Sequence, residues 1–283
     1  MWTECRQEKI MEVCSKNTND KKERKLGEPR IQYFTTKQAI TMFLVGFLGL
    51  NFFAYFVYGA LHAILPTASA LDLNSYTNFI TYIILILILV YLSYSFNKQK
   101  FLSNINSLTS KKVWLFILFG LMLIYIAAIL ATQLETLIYK WGGIEMTTNE
   151  NQTSINTMLS AHPVLIIIMV TFFAPIVEEI AYRQGLFESV RSKSRVWAYV
   201  VTIAVFSLIH FGWLASFYNA ETETWGVNID VLITELIALP SYMGGAAVLS
   251  YVYDHENNVV PGMFVHGLYN LIGILLTLWL SAN

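Results

Sequence analysis

Charged residues are scarce in this chain, and their scarcity argues against a soluble globular fold. Asp, Glu, Lys and Arg make up 13% of the 283 residues, against about 25% in soluble domains. Hydrophobic residues make up 55%, and the formal net charge of −1 gives no indication of nucleic-acid binding. The composition therefore favours a protein embedded in a membrane.

Cysteine is also rare, and the start of the chain carries no recognisable processing signal. Cys5 and Cys14 both lie in a polar N-terminal stretch, where we expect free, reduced thiols in the cytosol. This stretch lacks the apolar core and small-residue cleavage site of a signal peptide, so we expect it to be retained. We predict that residues 1–35 form a polar cytosolic tail and residues 36–283 a membrane-embedded peptidase domain, with its motifs in residues 164–283.

Apolar runs are abundant, and seven of them are candidates for membrane spans. A spanning helix needs about 20 residues, and helices are favoured because the runs lack the alternating pattern of barrel strands. The predicted fold class is all-α, a polytopic transmembrane helix bundle with about seven spans. The runs cover residues 38–61, 76–96, 113–134, 164–187, 196–218, 231–253 and 260–280.

Lysine and arginine are distributed unevenly among the connections between these runs. The N-terminal tail, residues 97–112 and residues 188–195 are basic, whereas the alternate connections are acidic or polar. Because basic connections tend to stay in the cytosol, we predict a cytosolic N-terminus. The turn at residues 254–258 should lie on the same side but contains no Lys or Arg.

Two adjacent glutamates and an arginine interrupt the fourth run, which reads FFAPIVEEIAYR from residue 172. Such residues cost about 2.5–3.5 kcal/mol each on insertion scales and usually face a bundle interior or a wet cavity. Glu179 and Arg183 are spaced i, i+4, which favours an ion pair. Glu178 points about 100° away and has no local partner. Glu178 is therefore a candidate general base, with a purely structural ion-pair cluster as the alternative.

Two histidines and an asparagine in later runs are candidates for the same site. His210 and Glu178 lie equally far from the turn that joins their runs, so an antiparallel hairpin would place them at similar depth. His266 and Asn270 are spaced i, i+4 and share one helical stripe. Because His266 closely follows Pro261, which suits a first helical turn, we expect the site in the cytosolic half of the membrane.

This set of residue types suits hydrolysis of a peptide bond by an activated water. A carboxylate or imidazole can remove the water proton, and imidazole or amide donors can stabilise the oxyanion. The sequence shows no nucleophile elbow or Cys/His pair, and it has no HExxH zinc helix. The residues thus indicate a hydrolase without a serine or cysteine nucleophile.

Three ordered motifs resemble those of the CAAX-protease and bacteriocin-processing (CPBP) intramembrane peptidases. They are EExxxR at residues 178–183, FxxxH at 206–210 and HxxxN at 266–270. The resemblance implies a helical bundle that cleaves peptides near the bilayer surface, with a cavity opening to the membrane and cytosol.

The resemblance also implies a role for each motif residue. Glu178 would activate the water with His210 as its partner, and His266 and Asn270 would form an oxyanion-stabilising or ligand pair. Three further residues would support the site, namely Glu179, Arg183 and Phe206. Members of the family have been described both as metalloproteases and as glutamate-dependent peptidases. Zinc is therefore possible, with Glu178, His210 and His266 as ligands, although we favour no obligatory metal.

The leading hypothesis is an intramembrane endopeptidase of a bacterial cell membrane, acting on membrane-associated, prenylated or small peptides. Its role would be peptide or bacteriocin maturation, immunity or surface-protein regulation. The expected partners are a peptide or membrane-protein substrate and the lipid bilayer, without nucleic acid, and the sequence gives no oligomeric state. Two alternatives are a non-catalytic immunity or scaffold protein of the same fold and a proton-coupled transporter, although no inverted repeat is visible. Glu235 in the sixth run could line the cavity, but its position near the outer end favours an interfacial or structural role.

Overall fold

A computed structural model describes residues 32–219 and 223–282, and within them the chain is almost entirely helical. Six helices in these ranges are long and apolar enough to cross a membrane. The predicted all-α polytopic bundle is confirmed. Most of the predicted N-terminal tail, including Cys5 and Cys14, lies outside the described residues.

The helices and strands are numbered here in chain order. They are α1 (Thr36–Ile64), α2 (Ala70–Phe96), α3 (Lys98–Asn106), α4 (Lys111–Gly142), α5 (Glu150–Ala161), α6 (Pro163–Arg191), α7 (Arg195–Ile209), α8 (Trp213–Phe217), β1 (Tyr218–Asn219), β2 (Thr224–Trp225), α9 (Ile229–Glu256) and α10 (Val259–Ala282). The two short strands pair antiparallel, with Tyr218 opposite Trp225.

The fifth apolar run is helical over a shorter length than the sequence predicts. Helix α7 has 15 residues and ends at Ile209, so it is about 22 Å long, whereas the hydrocarbon core is about 30 Å thick. The chain then turns at His210 into α8 and the strand pair. The predicted continuation of this span to residue 218 is therefore wrong, and His210 lies at a helix end.

Helix α6 is the central helix of the bundle. In its most apolar window 56% of the residues are buried, compared with 17–39% in the other five long helices. Its backbone changes to π-helix over Met169–Phe173 and again over Glu179–Phe187. Such π segments widen the turn and are frequent at functional sites, and here they flank the short α-helical stretch that ends at Glu178.

The turn between α9 and α10 is held by cations from other turns. Asp254 is fully buried and accepts hydrogen bonds from Arg191 Nη1 at 3.4 Å, Arg195 Nε at 2.6 Å and Tyr199 Oη at 3.1 Å. This turn, which has no Lys or Arg of its own, therefore lies at the same end of the bundle as the basic connection between α6 and α7.

Other contacts extend this network to the basic connection between α2 and α4. Lys100 Nζ donates to the backbone carbonyl of Asn257, and Asn258 Nδ2 donates to Ser107 Oγ at 2.7 Å. Arg191 Nη2 also donates to Glu188 Oε2 at 2.5 Å. We call this end of the bundle, formed by residues 97–111, 188–195 and 254–259, the basic end.

We predict that Asp254→Ala destabilises the protein by about 3–5 kcal/mol, because it leaves the guanidinium of Arg191 without one of its buried carboxylate partners. Chemical unfolding in detergent micelles, followed by circular dichroism, measures the change. The matched control is Glu256→Ala, which removes a more exposed contact with His255 and should cost less than about 1 kcal/mol. Equal losses in the two variants would contradict the structural role of Asp254.

Candidate active site

The predicted site residues come together around one cavity inside the bundle. The cavity has a volume of about 790 Å³. Its walls include Glu178 from α6, Phe206 from α7, His210 at the end of α7, and His266 and Asn270 from α10. Glu179 and Arg183 are completely buried behind this wall, so three separate helices contribute side chains to a single site.

A buried carboxylate orients one of the two histidines. Glu179 Oε1 accepts a hydrogen bond from Arg183 Nη1 at 3.0 Å and lies 3.0 Å from His266 Nδ1. Because a carboxylate accepts, the Nδ1 of His266 carries the proton and its Nε2 is left for the cavity. That Nε2 lies 3.9 Å from Glu178 Oε2.

Phe206 separates the two histidines and supports the arginine. The Arg183 guanidinium lies 4.4 Å from the centre of the Phe206 ring, a distance suited to a cation–π contact. The same ring lies 4.7 Å from the His210 ring and 6.2 Å from the His266 ring, measured between centroids. Phe206 therefore packs against all three of these side chains and fixes their spacing.

The second histidine is held by the backbone and by a tyrosine. His210 Nδ1 lies 2.8 Å from the backbone carbonyl of Phe206, and since a carbonyl only accepts, Nδ1 is the donor and Nε2 is left as an acceptor. The His210 ring stacks on Tyr242, with centroids 4.7 Å apart and 19° between the planes. Tyr242 lines the cavity, and nothing in the sequence distinguishes it from the other tyrosines of the apolar runs.

Unlike Glu179, Glu178 forms no ion pair with an arginine or lysine among the described residues. Its side chain is 12% exposed, and its Oε2 is buried without a hydrogen-bond partner among the described residues. Tyr82 of α2 is a neighbour across the cavity wall. A buried carboxylate oxygen without a partner is rare in folded proteins, and it is a functional indication when it faces a cavity.

Asn270 satisfies a backbone group that a proline leaves unpaired. Within the first π segment Ala174 N donates to Met169 O, so the next donor in this register would be residue 175, which is proline and has no N–H. The carbonyl of Val170 is instead bonded by Asn270 Nδ2 at 3.0 Å. One amide hydrogen of Asn270 is thus engaged, and the second is left for other acceptors.

Small residues let α10 approach this part of α6. A Cβ atom at Gly262 would lie 2.9 Å from Glu179 Oε2, and one at Gly267 would collide with the carbonyl oxygen of Thr171. Larger side chains at these positions would push His266 away from Glu179, so the two glycines are part of what aligns the site.

Comparison with known proteins shows which family this part of the chain is similar to. A family profile described as type II CAAX prenyl endopeptidase Rce1-like matches residues 160–272, which contain all three motifs. By this similarity we refer to residues 160–272 as the Rce1-like domain. The match confirms the resemblance to CPBP intramembrane peptidases and, with the six apolar helices, identifies an integral membrane protein with the fold of CAAX-type intramembrane proteases.

The chain also has a curated relative. The chain is 25% identical over 134 residues to the UPF0177 protein YvdC of Lactococcus lactis subsp. lactis (strain IL1403). The alignment covers 47% of this chain and 43% of that protein, so the chain spans less than half of its relative. No solved structure matches the chain.

Glu235 of helix α9 connects two other segments near the site. It is 1% exposed, and its two carboxylate oxygens accept hydrogen bonds from the backbone N–H of Glu150 at 2.7 Å and of Gly212 at 2.9 Å. Gly212 lies two residues after His210, so Glu235 fixes the segment that ends α7 and ties it to the start of α5. These contacts agree with the structural role predicted for Glu235.

Zinc binding by Glu178, His210 and His266 stays a prediction. In residues 32–219 and 223–282 no three His, Cys, Asp or Glu side chains are grouped closely enough to hold a metal ion. Each histidine does have its Nδ1 engaged and its Nε2 free, as zinc-binding histidines often have. The three side chains are therefore not arranged as a group of metal ligands in the described residues.

We predict that removal of Glu179 lowers the stability of the protein much more than removal of Glu178. Glu179→Ala should destabilise the Rce1-like domain by about 3–5 kcal/mol, because it leaves the fully buried Arg183 without its carboxylate partner. Glu178→Ala should change stability by less than about 1.5 kcal/mol, because it removes no ion pair with an arginine or lysine and at most a hydrogen bond with Tyr82. Unfolding of both variants in the same detergent compares the two effects, and a larger loss for Glu178→Ala would overturn these assignments.

Proposed function

We propose that the chain is an intramembrane endopeptidase in which Glu178 activates a water molecule for attack on a peptide bond. The observation that carries the proposal is the buried, unpartnered Oε2 of Glu178, which lies 3.9 Å from His266 Nε2 in the wall of a cavity shared with His210. Glu179 also has one oxygen without a partner, but its other oxygen pairs with Arg183 and it does not line the cavity.

In the proposed reaction the water lies between Glu178 and the Nε2 of His210, which accepts one of its hydrogen bonds. Glu178 takes a proton as the water oxygen adds to the carbonyl carbon of the substrate. The oxyanion accepts hydrogen bonds from the free amide hydrogen of Asn270 and from Nε2 of His266 in its imidazolium form, in which both ring nitrogens carry protons. The proton on Glu178 then passes to the leaving nitrogen as the C–N bond breaks, which gives a carboxylic acid and an amine.

The substrate is proposed to be a peptide or a segment of a membrane protein, presented at the lipid bilayer. The description of the matched family supports this class, since it names CAAX prenyl endopeptidases. A bacterial cell membrane with the N-terminus in the cytosol is proposed from the basic connections and the Lactococcus relative. Bacteriocin or pheromone maturation, immunity and surface-protein regulation are the roles that such cleavage would serve.

We predict that Glu178→Ala and Glu178→Gln both lower peptide cleavage at least about 100-fold, because neither side chain can accept the water proton. Comparison of the membrane peptidomes of cells with wild-type and variant protein measures the loss. Glu256→Ala, which removes a carboxylate at the basic end that does not line the cavity, is the matched control and should leave the peptidome unchanged. An unchanged phenotype in a Glu178→Ala, His210→Ala double variant would favour a non-catalytic immunity or scaffold role instead.

We predict that active, purified protein contains less than stoichiometric zinc and that cleavage survives treatment with a chelator. The reason is that the proposed steps use only carboxylate, imidazole and amide groups of the chain. Elemental analysis of the protein, paired with activity before and after chelation, makes the comparison. Stoichiometric zinc whose removal and return switch activity off and on would assign Glu178, His210 and His266 as metal ligands instead.

A further inference from the structure

The cavity leads to only one end of the bundle within the described residues. We call the end opposite to the basic end the polar end; it comprises the connections at residues 65–69, 143–149, 210–219 and 223–228. No residue from the turns at the basic end lines the cavity, whereas Met146, Thr147, Thr148 and Asn149 of the polar end do. The lining residues of α2, including Asn78 and Tyr82, likewise lie in the half of that helix nearer the polar end.

The basic end is closed by packing and by its ion-pair network. Glu188 and Asp254 are 1% and 0% exposed, and both are bonded to Arg191. Phe187 and Tyr253 are buried beside them, with ring centroids 5.8 Å apart. A polar substrate could pass this layer only by breaking buried ion pairs, so the route to Glu178 runs from the polar end.

One wall of this route is rich in amides and hydroxyls. It is formed by helix α5 and the connection before it, and several of its lining residues are exposed, namely Thr147, Thr148, Gln152 and Ser154. Asn149 and Asn151 donate from Nδ2 to Tyr242 Oη at 3.0 and 3.1 Å. This wall is therefore linked to the ring that stacks on His210.

Several polar atoms of this wall have no partner within the described chain. Asn156 Oδ1 accepts from Gln152 Nε2 at 2.9 Å, and Asn156 Nδ2 and Gln152 Oε1 have no hydrogen bond to another described residue. Asn151 Oδ1 likewise has no hydrogen bond to another described residue, since only the Nδ2 of Asn151 forms one. Amide donors and acceptors set along a cleft match the alternating N–H and C=O groups of an extended peptide backbone, whereas they would disfavour an isoprenoid chain.

We infer that the substrate is a hydrophilic peptide segment that enters the cavity from the polar end, along the wall formed by α5, and that this end faces away from the cytosol. The orientation follows from the basic connections, all of which lie at the other end. This inference rests on the proposed peptidase function and narrows its substrate to unprenylated peptides on the non-cytosolic face. It differs from the cytosolic opening that the family resemblance implies.

The access route is tested by cysteine labelling, which needs no enzymatic activity. In a Cys5→Ser, Cys14→Ser background, Gln152→Cys and Thr148→Cys report on the wall, and Ser192→Cys reports on the basic end, where that residue is exposed. A membrane-impermeant maleimide added to intact cells should label both wall cysteines, and should label Ser192→Cys only after permeabilisation. The reverse pattern would overturn the inference.

The substrate class is tested with a soluble library of fluorogenic peptides added outside intact cells, next to a farnesylated peptide. We expect cleavage of soluble peptides that disappears in Glu178→Ala. Asn156→Ala should raise KM about 2- to 10-fold with kcat unchanged, as loss of one neutral hydrogen bond to substrate implies. Its control is Thr157→Ala, an exposed neighbour that does not line the cavity, which should keep the wild-type KM.

The two experiments separate the inference from the function on which it rests. Glu178-dependent cleavage of the farnesylated peptide alone, in inverted vesicles alone, would overturn the access route and keep the peptidase. The expected labelling without any Glu178-dependent cleavage would overturn the peptidase and keep the access route.

Discussion

The site depends on a single buried ion pair, between Arg183 and Glu179 on α6. A guanidinium with no exposed surface is tolerated only where a carboxylate compensates it, and the same carboxylate oxygen also lies 3.0 Å from His266 Nδ1. The contact that makes the charge tolerable therefore also sets the tautomer and direction of the imidazole. Phe206 packs on the arginine and contacts both histidines. The positions of the two imidazole rings therefore depend on the Arg183–Glu179 pair.

Much of this site could be predicted from the sequence because helical spacing is a local property. The i, i+4 separations paired Glu179 with Arg183 and placed His266 and Asn270 on one stripe, and the structure has both arrangements. Charges in apolar runs identified the right helices, since such residues must face an interior. The bundle itself followed from the length of the apolar runs.

Other features depend on contacts between distant segments, and local patterns do not encode them. The fifth run continues to be apolar beyond Ile209, but its chain turns there because Glu235 of α9 binds the N–H of Gly212. Tyr242 is one of 16 tyrosines, and only the fold stacks it on His210. The partner of Asn270 could not be predicted either, because it arises from a π register that ends at a proline.

The closed packing at the basic end also bears on the energetics of the whole cell. A water-filled cavity that reaches the middle of a membrane is half of a conduction pathway, and protons would follow it down their electrochemical gradient if it continued. The layer of Phe187, Tyr253 and the Glu188–Arg191–Asp254 pairs interrupts that pathway. This layer thus keeps the cavity of the proposed hydrolytic centre from connecting the two faces of the membrane, and the membrane keeps its insulating property.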